Sequence, residues 1–432
     1  MAKEITDTLG PRLPWAGKHV APEFVEDELS RLWHMSADNM RTSQNLRVRT
    51  SVLNLVLCAS NKEVAQQASA LLRDLSSTHV ARVILLILDQ EKNAPSEVST
   101  WITIRSFPII SDIMRHNFEQ ITVRVTGDAV ASSSTIIQPL LKPDLPVYLW
   151  WVDDLPTNTQ LFKQLASMSS RVIVDSSQFS QPEDSLRTLS SLVQSLTSDS
   201  ALSDLNWGRI TPWRELVAQF FDVTEYKPYL AGVDYIEIEH AVTLNSSLPS
   251  SGLSTLDSNP ACALFLAAWL KTRLGWHVIS DHEDNMYDPR SGTYSWHMRR
   301  SQDSPKSGAL RKTIRQKVSR ELTNVPKQEG DADGILSLTP REEIDIPIGS
   351  ICSIRLISNV GARQAAFVID LEDSAGHVST SGELSQGTQS PQRTVSIASI
   401  HKASELLHDE LEIMGRDYLY EETLHEVFDL LA

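Results

Sequence analysis

The chain has 432 residues, 41% of them hydrophobic and 22% charged, and carries a formal net charge of −16 at pH 7. That length exceeds one ordinary domain, so two are predicted, and the composition is that of a globular protein. The acidic balance argues against general nucleic-acid binding and against adhesion to anionic membrane, and no apolar run approaches the about 18 residues a spanning helix needs.

Residues 1–45 read as an N-terminal arm with a short helix. Pro11, Pro14 and Pro22 interrupt regular structure, and Phe24, Leu29, Leu32 and Trp33 fall on one helical face. Residues 1–10 lack the basic and apolar regions of a signal peptide, so a cytoplasmic location is expected.

Residues 46–225 show a strand–helix rhythm. Residues 47–58 are β-branched and apolar, a strand. Residues 61–76 form a helix capped by Asn61, with Val64, Ala68, Leu71, Leu72 and Leu75 on one side. Residues 81–89 are almost wholly apolar, as in a strand covered on both faces. This unit implies a parallel pair with a right-handed crossover. Strands at 98–107 and 119–126 alternate, which suggests one less buried face or a hairpin. A helix at 128–141, a strand at 147–152, a helix at 159–168, a strand at 171–175 and helices at 183–196 and 212–221 complete the pattern. The fold class predicted is a Rossmann-like doubly wound α/β domain.

Residues 230–432 are predicted to form a second, α+β domain. A loop rich in Ser and Pro at 242–260 precedes a strongly apolar helix at 260–276. Strands at 351–357, 365–371, 377–381 and 394–397 follow without intervening helices, the mark of a mainly antiparallel sheet. An acidic helix at 404–432, with a break near Gly415, closes the chain. Residues 299–327 hold nine Lys/Arg against two acids, which suits either a solvated loop or an electrostatic landing site.

Five of the ten tryptophans lie in three stretches: Trp150 and Trp151 after PVYL, Trp207 and Trp213 in DLNWGRITPWR, and Trp296 in SGTYSWHMRR. Trp150 and Trp151 end an apolar run and read as core. Trp207, Arg209, Trp213, Arg214, Trp296, Arg299 and Arg300 join aromatic rings to guanidinium groups, a pairing that anchors protein partners. Core and contact surface remain equally open for these rings.

Catalytic fingerprints are missing. The turn after the first strand is Ala59-Ser60-Asn61-Lys62, without G-x-G-x-x-G, and no P-loop, H-E-x-x-H, G-x-S-x-G or paired-cysteine motif occurs. No catalytic residue, cofactor or metal is assigned. A polar stretch at 277–284, with His277, Asp281, His282, Glu283 and Asp284, has the residue types of a metal or acid/base cluster, but it reads first as a polar surface loop. Cys58, Cys262 and Cys352 are too far apart for a disulfide framework or a zinc site, and buried inert thiols are expected at Cys58 and Cys352.

Four stretches carry a family resemblance: LWHMSADNMRTSQNLRVRTSVLNLVLCAS at 32–60, LLKPDLPVYLWWVDDLP at 140–156, SDLNWGRITPWRELVAQFFD at 203–222 and SGTYSWHMRR at 291–300. In these the chain resembles the OpcA family of glucose-6-phosphate dehydrogenase assembly proteins. The resemblance implies a non-catalytic assembly factor and allosteric activator. Its partner would be glucose-6-phosphate dehydrogenase, and its role would be support of NADPH production by the oxidative pentose phosphate pathway. It also implies redox regulation, with thioredoxin acting through the dehydrogenase. The chain departs from a simple redox sensor, because it has no close cysteine pair. The alternative is a sensor or enzyme that holds a sugar phosphate or nucleotide through Asn61 and Lys62 at a helix start.

Overall fold

The computed structural model describes residues 17–38, 51–75, 81–89, 94–111, 114–156, 159–196, 200–245, 255–279, 286–289, 291–300, 334–385, 393–397, 402–413 and 415–432. Most of the basic segment expected at 299–327 and residues 280–284 of the polar loop lie outside them. Contacts divide the chain into two compact units. One comprises Met1–Gln178, Leu192–Leu205 and Ala403–Asp417; the other comprises Phe179–Ser191, Asn206–Lys402 and Tyr418–Ala432. The division is therefore not linear, whereas the sequence suggests one changeover at 225–230.

The first unit is built on an eight-stranded sheet. Its strands are β1 (Lys18–Val20), β2 (Leu53–Ala59), β3 (Ala81–Asp89), β4 (Glu97–Ser111), β5 (Met114–Thr126), β6 (Val147–Trp151), β7 (Arg171–Val174) and β8 (Ala201–Asp204). They stand in the order β1-β4-β5-β3-β2-β6-β7-β8. From β5 to β8 every neighbour runs parallel, while β4 pairs antiparallel with both β5 and β1. Numbered among themselves, the six parallel strands follow 3-2-1-4-5-6, the order of doubly wound dinucleotide-binding sheets. The two alternating stretches after β3 are the hairpin β4–β5.

The period-two rule sorts the core of this unit. Leu53, Leu55 and Leu57 of β2, with Val83, Leu85 and Ile87 of β3, face α2 (Lys62–Leu75). Leu406, Leu407 and Leu411 of a C-terminal helix, Ala403–Glu412, join that layer. The adjacent Trp150 and Trp151 of β6 point to opposite faces. Trp150 enters the α2 layer, and Trp151 meets Phe162 of the helix Thr159–Ser167 edge to face at 5.2 Å. Both rings are core, as the apolar run predicts. The helix expected at 128–141 is instead a short α-turn, Ser133–Ile137, between two 3-10 segments. At the opposite end of the strands, buried Glu119 accepts from Trp33 of the first helix, α1 (Val25–Asp38), at 2.7 Å and from Arg82 Nη2 at 2.7 Å, and so ties that helix to β3 and β5.

The second unit holds a ten-stranded sheet: β9 (Val233–Asn245), β10 (Thr255–Ser258), β11 (Trp276–Val278), β12 (Met286–Asp288), β13 (Thr293–Arg300), β14 (Gly334–Glu342), β15 (Ile351–Val360), β16 (Arg363–Leu371), β17 (His377–Leu384) and β18 (Arg393–Ser396). Eight strands run β11-β13-β14-β9-β15-β16-β17-β18, with β10 on β9 and β12 on β13. All pairs are antiparallel except β14 with β9. The predicted mainly antiparallel sheet is present, and it is wider than the strands at 351–397 suggest. Ile236 and Ile238 of β9, Leu336 and Leu338 of β14, and Phe367 and Ile369 of β16 form one fully buried face. Phe220, from the helix Thr211–Phe220, packs on Phe367 at 5.2 Å. The apolar helix Ala261–Leu274 is buried nearly all round and ends at Gly275, whose φ of 62° is a left-handed cap suited to glycine. Its Lys271 is buried against Glu426 and, at 3.6 Å, Asp429 of the last helix, Tyr418–Leu431. The acidic C-terminal stretch is thus two helices parted at Gly415, where φ is 92°.

Candidate functional site

Two places in the fold invite function. The first is the switch point of the doubly wound sheet, beyond the carboxyl ends of β2 and β6, where such sheets bind nucleotides. Here β2 passes into α2 through Ser60 and Asn61. The Asn61 side chain accepts the backbone N–H of Val64 at 2.9 Å, so it serves as the helix cap. Val152 continues the β6 pairing by donating to the Cys58 carbonyl at 3.1 Å, which carries Asp153 across to the turn. The Asp153 carboxylate accepts from the Ser60 backbone N–H at 3.3 Å and from the Ser60 hydroxyl. A dinucleotide-binding turn offers its backbone N–H groups to a pyrophosphate and uses glycines to let it approach. Here side chains stand at 59, 60 and 61, and the chain's own carboxylate takes the N–H of Ser60. Burial raises the Asp153 carboxyl above the usual range, against the opposing effect of the Ser60 hydrogen bonds.

The second place is the tryptophan–arginine segment, which lies in two short helices, Leu205–Arg209 and Thr211–Phe220, the second opened by Pro212 near its first position. Trp207 and Trp213 are each 5% exposed, and Trp296 7%. Trp207 packs against Phe265 at 6.3 Å and Tyr420 at 5.9 Å. The Arg214 guanidinium covers its ring at 3.6 Å and donates to Thr211 at 2.7 Å. Arg209 and the Cys262 thiol share one acceptor, Asn206 Oδ1, at 3.1 and 2.9 Å. Arg209, Ile210, Pro212, Trp213, Cys262 and Ile351 line a small groove. The structure therefore brings Trp207 together with Arg214, and Arg209 together with Trp213.

The remaining three expected site residues lie on β13. Trp296 donates to the Leu430 carbonyl at 2.9 Å and stacks on Tyr294. Arg300 donates to the Ala231 and Val233 carbonyls and sits 6.0 Å over Trp276. Arg299 is exposed on the opposite side of the strand. Of the two readings open for the rings, burial in this chain matches core packing. The arginines are the members of the set that reach solvent.

All three cysteines are free and buried. Burial, with Asp153 nearby, pushes the Cys58 thiol far up, and burial pushes the Cys352 thiol up to about 12. Among the described residues no group of His, Cys, Asp and Glu is placed to hold a metal ion, and no helix is long and apolar enough to cross a membrane. The contact that sequence reading missed is Ser60 with Asp153. Its signal was the DD dipeptide directly after an apolar strand, at the position where a doubly wound sheet opens.

Comparison with known proteins matches both halves of the chain. Residues 72–191 match the family described as the glucose-6-phosphate dehydrogenase subunit N-terminal domain, and residues 200–424 the corresponding C-terminal domain. A relative named OxPP cycle protein OpcA, from Synechocystis sp., is 28% identical over 315 residues, 72% of this chain and 56% of that protein. One of the same name from Nostoc punctiforme is 29% identical over 357 residues, 81% of this chain and 65% of the relative. The chain thus spans less than two thirds of the length of either relative. Among solved structures, a 3-ketoreductase from Actinomadura kijaniata is similar with a TM-score of 0.44 at 7% identity, over 88% of this chain and 95% of that one. The chain belongs to the OpcA family of glucose-6-phosphate dehydrogenase assembly subunits.

Proposed function

We propose that the chain is a non-catalytic assembly factor and allosteric activator, which binds glucose-6-phosphate dehydrogenase and favours its active oligomer. The observation that carries the non-catalytic half is the switch-point turn, where Asp153 satisfies the Ser60 N–H and no glycine admits a pyrophosphate. Family membership supports the choice of partner.

Activation of this kind is differential binding. A factor that binds the active and inactive dehydrogenase equally shifts nothing, and a tenfold gain in apparent substrate affinity requires about 1.4 kcal/mol of preference for the active form. The groove of Arg209, Pro212 and Trp213, with Arg214 beside it, is the anchor proposed for the dehydrogenase. A guanidinium held over a ring keeps a fixed forked donor set and loses little entropy on binding. The exposed Arg299 is the further cation of the proposed contact. The three thiols take no part, and any thioredoxin response belongs to the dehydrogenase.

The test is size-exclusion chromatography of the chain mixed with the dehydrogenase of the same organism, with light scattering. Co-elution with a shift of the dehydrogenase toward a larger oligomer is expected. Independent elution of the two proteins at micromolar concentration overturns the reading.

A further inference from the structure

The ten-stranded sheet has two unlike faces. One carries the fully buried side chains described above. On the other, the registers place Tyr235 of β9 between Ile335 of β14 and Ile357 of β15, with Ala366 of β16 next in line. The row beside it reads Ser337, Glu237, Arg355 and Val368. Most of these residues are half-buried, Ser337 is nearly covered, and Arg355 is exposed. Among the described residues, neither Glu237 nor Arg355 makes an ion pair, although they are direct neighbours across β9 and β15. By contrast, Arg341 at the margin is saturated by Glu239, Glu343 and Asp370.

We infer that this face binds a second copy of the chain, through a two-fold axis running between β9 and β15. That line is the centre of the sheet, with β11, β13, β14 and β9 on one side and β15 to β18 on the other. An isologous contact requires that each residue meet the residue mirrored across the axis. The registers supply that match. Tyr235 meets Ile357, Ile335 meets Ala366, and Ser337 meets Val368, so apolar groups face apolar or small ones. Glu237 of one copy meets Arg355 of the other, twice in the dimer. His297 of β13, which pairs with Ile335, meets Glu383 of β17, which pairs with Ala366.

Charge favours a second copy over a foreign partner. The chain is strongly acidic overall, with a net charge of −16, yet where the two rows cross the four central strands β14, β9, β15 and β16 they carry one acid and one base, Glu237 and Arg355. Neutral, self-matched surface has no counterpart to seek on a strongly charged partner. The six strands β13, β14, β9, β15, β16 and β17, at about 4.8 Å spacing and with three outward rows, present a flat area of roughly 24 by 20 Å, on the order of 500 Å² before the relief of the side chains is counted. A stable interface buries about 800 Å² on each partner. This inference stands independently of the dehydrogenase reading, because it concerns the chain alone.

Sedimentation equilibrium of the full chain without any partner tests it. The unmodified chain is expected to be dimeric at micromolar concentration. Arg355→Glu and Glu237→Arg, each alone, should weaken self-association at least about tenfold, because each places like charges opposite one another. The two variants mixed together should form one-to-one dimers, and the double swap in one chain should restore the dimer. Both positions are on the solvent side of the strands, and circular dichroism melts check that each variant is folded. A monomeric unmodified chain, single variants that stay dimeric, or a mixture that fails to associate would each overturn the proposal.

Discussion

The carboxylate of Asp153 accepts the backbone N–H of Ser60 at 3.3 Å, across the point where the doubly wound sheet reverses its strand order. The order of the parallel strands is that of a dinucleotide-binding domain, but the turn that would receive the phosphates is occupied by the chain's own anion.

The first expectation follows directly. NADP and glucose 6-phosphate should leave the melting temperature of the chain unchanged. A ligand at a hundred times its dissociation constant would add about 2.7 kcal/mol of stability, an easily seen shift. Asp153→Ser should behave the same, because residues 59–61 still lack glycine. A clear NADP-dependent rise in the unmodified chain would restore the sensor or enzyme reading.

A second expectation separates anchor from core in the tryptophan–arginine segment. Trp207→Ala removes a buried ring packed on Phe265 and Tyr420 and should cost about 3–5 kcal/mol. Arg209→Glu with Arg214→Glu should weaken dehydrogenase binding more than about tenfold. Thermal melts must accompany the titration. If the loss of binding only tracks the loss of stability, the arginines serve the fold and the groove is not the anchor.

How far the sequence carries depends on which kind of signal an element uses. The unbroken apolar run of β3 and the helical spacing of Val64, Ala68 and Leu72 are one-dimensional, and they disclosed the doubly wound domain. The centre of the second sheet was equally periodic, with Ile236, Ile238 and His240 inward and Tyr235, Glu237 and Glu239 outward. Its acids mask the apolar count, and reading by composition passes it over. The burial of Trp207 was not legible, since it depends on Phe265 and Tyr420, far away in the chain. The same holds for the closed turn, because Ser60 and Asp153 are 93 positions apart.

The cysteines provide a third expectation. Thiolate is the reactive form, and burial holds Cys58 and Cys352 as thiols at neutral pH, while Cys262 is buried with its sulfur on Asn206. A maleimide should label none of the three in the folded chain and all of them in denaturant. Replacing all three by Ser or Ala should leave activation within a few-fold of normal once stability is matched. Loss of a thioredoxin-dependent response in a folded triple variant would move the redox switch into this chain.

His240 gives the fold a pH dependence. The imidazole is fully buried, contacts Ser258 at 3.2 Å, and has its pKa lowered by burial from 6.5 to about 4. Between those values the unfolded chain binds a proton that the folded chain refuses. Stability from this group is therefore whole above about pH 6.5 and declines as pH falls toward 4, by an amount on the order of 3 kcal/mol. His240→Gln keeps a neutral polar side chain and should flatten that part of the stability curve, measured by urea unfolding at several pH values. An unchanged slope would show that other groups set the acid sensitivity.

The central claim is that the chain activates without catalysing, and a titration measures it most directly. Purified dehydrogenase is held at limiting glucose 6-phosphate, and NADP reduction is followed as the chain is added. The account predicts no reduction by the chain alone, and a saturable rise in rate that reaches its plateau at a fixed molar ratio to the dehydrogenase. NADP reduction by the chain alone, or a dehydrogenase rate unaffected by a saturating excess of it, would contradict the account.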